Sequence, residues 1–229
     1  MRSYLPGLVL LCLAAPLLRA QDGSLQGMTM ADSPHITLTP EWPERPGDRA
    51  RADSVAAVAR EAVERYRDVA AAEADGYKRF APRVRNQRVF HYTSTRAAIA
   101  ARFRFDPAAP TALLYKEESG GGLRLVGVMY TMPADAPLAE LDRRIPLSVA
   151  RWHQHTNICL PPRGSDGSGA GDAADPEFGV RGRIATREAC QAAGGRWFDR
   201  MFGWMVHVNL FAASPDAVWT EEPGGMRHH

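Results

Sequence analysis

The stretch "TALLYKEESGGGLRLVGVMYTMP", residues 111–133, sets two runs rich in Leu, Val and Tyr on either side of Ser-Gly-Gly-Gly. Such residues favour strands, and glycine reaches positive φ without a Cβ clash, so the stretch predicts a β-hairpin. Two later runs, "VARWHQHTNICL" (149–160) and "FGWMVHVNLF" (202–211), also read as strands, and "RVFHY" (88–92) reads as a shorter one. Helical signals lie between them. "DSVAAVAREAVERYRDVAAAEADGY" (53–77) places Val55, Val58, Ala62, Tyr66 and Val69 three or four residues apart, the period of one apolar helix face. Asp53 or Ser54 can cap its start, and Asp75-Gly76 supplies a stop. "STRAAIAARF" (94–103), capped by Ser94 or Thr95, and "ATREACQAAGG" (185–195), capped by Thr186, predict shorter helices. The expected fold is α+β: an antiparallel sheet of about four strands packed by one long and two short helices.

The ends bound where the protein resides. Residues 1–20, "MRSYLPGLVLLCLAAPLLRA", carry an early Arg2, a short apolar run and small residues before a break, the pattern of a secretory signal peptide. That run falls short of the roughly 20 apolar residues a membrane span needs, and no later segment approaches that length. Residues 21–47, rich in Gly, Ser, Asp and Pro, are expected to form an extended arm. A single α+β domain then covers 48–220, with a flexible loop at 161–183 and an irregular tail at 221–229. The expected location is outside the cytoplasm, in a periplasm or the extracellular space. Cys12 leaves with the signal peptide, so Cys159 and Cys190 remain as a pair, and an oxidising compartment favours a disulfide between them. Removing Arg2 and Arg19 with the first twenty residues leaves as many basic residues as the 26 acidic ones. A balanced charge offers nucleic acid or an anionic membrane no electrostatic footing.

Strand alternation organises the residues able to do chemistry. In "WHQHTNIC", His153, His155, Asn157 and Cys159 share one face; in "WMVHVNLF", Met205, His207, Asn209 and Phe211 do. If the two strands are neighbours, His153, His155, His207 and Met205 meet, with Asn157 and Asn209 behind them as hydrogen-bond partners. His91 and the tail residues Met226, His228 and His229 are further ligand candidates. Imidazole with thioether suits copper first, and three imidazoles with an open position suit zinc second. The same histidines are open to other readings. One is a metal-free envelope protein that binds a small ligand or a partner. Another is a metal-dependent oxidase or hydrolase, and a third is a polar sheet face with no ligand at all. No nucleophile-elbow, zinc-protease or P-loop motif occurs, and "GSGAGD" lies in a Ser/Asp/Pro loop instead of following a strand.

The run "FDPAAPTALLYKEESGGGLRLVGVMYTMPAD" (105–135) resembles a family of secreted bacterial proteins of unknown function. They share "P-x-x-LLY", a glycine turn and "LRLVGVxY". A histidine-aromatic step upstream, matched by His91-Tyr92, and an "HV" strand downstream, matched by His207-Val208, extend the likeness over roughly residues 60–210. The resemblance implies an exported single domain and carries no activity with it.

Overall fold

The computed structural model describes residues 32–82, 87–164 and 176–220. The expected residues 1–20 signal, and the candidates Met226, His228 and His229, lie outside them. The chain runs β1 (Ile36–Leu38), α1 (Asp48–Val63), a 3-10 turn (Glu64–Arg67), α2 (Val69–Ala74), β2 (Lys78–Arg79), β3 (Phe90–Thr93) and α3 (Thr95–Ala101). The β4 (Ala112–Glu117) and β5 (Leu123–Met132) hairpin follows, then α4 (Leu138–Arg144), β6 (His153–Leu160), α5 (Arg187–Ala192) and β7 (Arg196–Val208). A second 3-10 turn (Pro215–Trp219) ends the described chain.

The α+β class is as expected, but the sheet is larger than the four strands read from the sequence. Seven strands pair antiparallel in the order β1-β6-β7-β5-β4-β3-β2. The additions include β1 and β2, of three and two residues, too short to show a period-two pattern. β1 rises from the segment expected to be an arm and pairs with β6, Ile36 opposite His155 and Leu38 opposite His153.

There are also five α-helices among the described residues instead of three. The long helix starts earlier than Asp53, at Asp48 after Gly47 (φ 91°), and it divides. Asp68 leaves the helical region and its carboxylate accepts from the Ala70 amide, so it caps α2 instead of continuing α1. α3 and α5 keep the caps read for them: Ser94 Oγ accepts from Ala97 and Thr186 Oγ1 from Ala189.

The two sheet faces differ. On one, Ala52, Ala59 and Val63 of α1 pack with Leu113, Tyr115, Val128, Trp152 and Val206 in the main core. On the other, the buried apolar cluster is small: Ala112, Leu114, Val126, Met129 and Met205. The sheet curls around this second face. Phe80 follows β2 and Phe202 belongs to β7, four strands away, or about 19 Å in a flat sheet, yet their ring centroids are 5.7 Å apart. Two glycines let β5 and β7 approach: a Cβ on Gly127 would strike the Val208 carbonyl, and one on Gly203 the Met132 carbonyl. The disulfide Cys159–Cys190, expected from the cysteine count, ties β6 to α5 over a buried Phe178. No helix of the described residues is long and apolar enough to cross a membrane.

Candidate functional site

β6 and β7 are neighbours, as the histidine pattern required, with His153 opposite Met205 and Cys159 opposite Trp197. Their register slips once. Two steps along β6, from His153 to His155, match four along β7, from Met205 to Met201. The extra β7 residues form a bulge in which Phe202 takes a positive φ of 69°, rare for a bulky side chain. The bulge brings the Phe202 ring edge-on to His155, at 6.2 Å between centroids.

Four of the predicted histidines meet on the curled face. His153 contacts His207 at 5.0 Å and His155 at 5.6 Å between ring centroids, and His91 contacts His207 at 5.5 Å. His91 Nε2 stands 3.5 Å from His207 Nε2. β3 and β7 are three strands apart, about 14 Å in a flat sheet, so the curl of the sheet and the reach of the two side chains together make this pair. His153 is 3% exposed. Met205, the register partner of His153, is buried beside the cluster, and Met129, the register partner of His207, is buried with it.

The side-chain amides of both asparagines donate to backbone carbonyls. Asn157 has φ 56°, which ends the regular alternation, and its Nδ2 donates to the Pro34 carbonyl. Asn209 lies past the end of β7, where its Nδ2 donates to the Ala217 and Thr220 carbonyls and holds the last 3-10 turn. Cys159, placed on the histidine face by alternation, is in the disulfide.

Burial governs the electrostatics. Loss of hydration pushes His91 below its usual value, His153 well below it, and His155 down to about 4. For His153 the proximity of His207, His155 and His91 acts in the same direction, and for His155 that of His91 and His35. These three rings are therefore neutral near pH 7, each with a lone pair to offer. The Val89 backbone holds the His91 ring by a hydrogen bond while Nε2 faces His207. The buried His155 Nδ1 has no hydrogen-bond partner among the described residues.

His153 lies edge to face with His155 and with His207, and His91 is tilted against His207. No three His, Cys, Asp or Glu side chains among the described residues converge as a ready metal-holding group. Two clefts, of about 170 and about 360 Å³, open elsewhere and are lined by none of the four histidines.

Three contributors escaped the sequence reading. Met129 occupies this face through the β5–β7 register, and Phe202 through the bulge. Fully buried His35 adjoins the site from behind: its Nδ1 is 2.9 Å from the Asn157 carbonyl and its Nε2 2.6 Å from the Gly182 carbonyl. Alternation could have offered Met129 as a candidate, but the contacts of His35 and Phe202 had no local signal.

Compared with protein-family models, curated proteins and solved structures, the chain matches none. The family resemblance carried by the hairpin motif therefore remains an expectation, and the site is interpreted from its own chemistry.

Proposed function

We propose that this is an exported protein that binds a transition metal, copper first and zinc second. His91, His153 and His207 are the ligands, with His155 and Met205 beside them. The observation that carries the reading is the 3.5 Å between the Nε2 atoms of His91 and His207. Two imidazole nitrogens about 2.0–2.1 Å from one tetrahedral ion are separated by about 3.3 Å. The pair is thus already at nearly the spacing that a shared ion needs. His153 packs against the second of these rings, at 5.0 Å between centroids, as the third imidazole of the group.

Two further features support the reading. Imidazoles gathered in a buried place, with one ring nitrogen of His155 lacking a partner, are costly for a fold to keep without a use. The depressed proton affinities leave His91, His153 and His155 neutral, so an ion displaces no protons from them near pH 7. The role is binding, delivery or sensing. Export is proposed from residues 1–20, and the disulfide and the lack of a spanning helix among the described residues are compatible with it.

The test is elemental analysis of untagged protein purified from the periplasm, wild type beside His153→Ala/His207→Ala. Near-stoichiometric copper or zinc in the wild type, lost in the double variant, is expected. No metal in the wild type and no uptake on titration would refute the proposal.

A further inference from the structure

We infer that the site is built for monovalent copper, with Met129 and Met205 supplying thioether ligands beside the imidazoles. This rests on the metal-binding reading above and goes beyond it in naming the charge of the ion and a ligand the sequence did not single out.

The register places each sulfur beside a histidine. Met205 is the direct partner of His153, and Met129 the direct partner of His207. Partners in an antiparallel ladder project to the same face with Cβ atoms about 4.5–5.5 Å apart, so both thioethers stand at the edge of the imidazole cluster. Both methionines are 6% exposed and belong to one buried cluster with Leu114 and Ala112. A soft thioether prefers a soft ion, and Cu(I) is the biological ion that takes imidazole and thioether together.

Charge points the same way. The positions flanking the imidazoles on this face, Ile36, Leu38, Leu114, Gly127 and Thr131, carry neither acid nor base. An ion held there keeps its full charge in a partly dry setting. The Born cost rises with the square of that charge, so a divalent ion costs about four times what a monovalent ion does. Zinc and Cu(II) sites commonly meet this cost with thiolate or carboxylate, and among the described residues the ladder partners of these histidines offer neither.

A structural role predicts something else. If Met129 and Met205 only fill space, leucine replaces them with little loss, because the volumes are nearly equal.

The experiment measures two affinities under anaerobic conditions. Cu(I) is competed against bicinchoninate and Zn(II) against a chelating dye, for the wild type and for Met129→Leu, Met205→Leu and the double variant. The expected result is that Cu(I) binds at least a thousandfold more tightly than Zn(II). The double variant should lose at least tenfold in Cu(I) affinity while its Zn(II) affinity moves less than twofold. Equal affinity for the two ions, or Cu(I) binding untouched by both leucines, overturns the inference while leaving a metal site standing. No binding of either ion by the wild type overturns the parent reading itself. X-ray absorption of the Cu(I)-loaded wild type guards against a variant that fails to fold. A sulfur shell around copper supports the inference, and nitrogen alone refutes it.

Discussion

Acidifying the metal-free protein from pH 7 to pH 4 should weaken it well before its carboxylates titrate. Burial penalises the charged form of His155, so the folded protein takes up that proton at about pH 4, against 6.5 for an unhindered imidazole. Between those values the unfolded chain binds more protons than the folded one, and stability falls as pH falls through the window. The gap corresponds to about 3 kcal/mol, and His91 and His153 shift in the same direction. Domains have about 5–15 kcal/mol in total, so the loss should be plain. The buried carboxylate Asp48 responds elsewhere. Hydrogen bonds from Ser148 and from the Arg45 backbone hold it down at about 2, so its stabilisation is lost only as pH falls from 3.8 toward 2. Urea unfolding, followed by tryptophan fluorescence at half-unit steps from pH 7 to pH 4.5, measures the slope, with His155→Gln as the reference. The wild type should lose stability steadily below pH 6.5, and the variant should lose less. A flat wild-type curve down to pH 5, or equal slopes in the two proteins, would refute the account of a desolvated imidazole cluster.

Two further outcomes follow from the supports around the site. Replacing Cys159 and Cys190 with alanine opens a bridge that spans 31 residues; the chain-entropy model puts the loss at about 3–4 kcal/mol, and a midpoint in urea unchanged from the oxidised wild type would contradict it. His35→Phe leaves the Asn157 and Gly182 carbonyls without their imidazole partner. One ring N–H serves one carbonyl, and burying one unmatched carbonyl costs about 1–3 kcal/mol, so a drop of about 1–3 kcal/mol in urea unfolding is expected. Hydrogen exchange should quicken first around residues 176–184, and unchanged protection there would count against the clasp.

Much of the fold's grammar is local and could be read in one dimension. Ser-Gly-Gly-Gly between two β-prone runs made a hairpin because glycine alone turns so tightly at no steric cost, and Ser94 and Thr186 capped their helices because a short hydroxyl reaches an amide three residues on. Period-two alternation likewise put His153, His155, Met205 and His207 on one side of their strands, and the cysteine pair was legible from its count. Alternation failed at Asn157 and Asn209, where a positive φ and a strand end break the pattern. Strand order, register and curvature rest on contacts between residues far apart in the chain. They alone decided that His91, three strands from His207, reaches it at 3.5 Å, that Met129 stands beside the imidazoles, and that a bulge turns Phe202 onto His155. No local sequence signal encodes how far a sheet curls, because that depends on contacts between strands far apart in the chain, among them the close approach of β5 and β7 at Gly127 and Gly203.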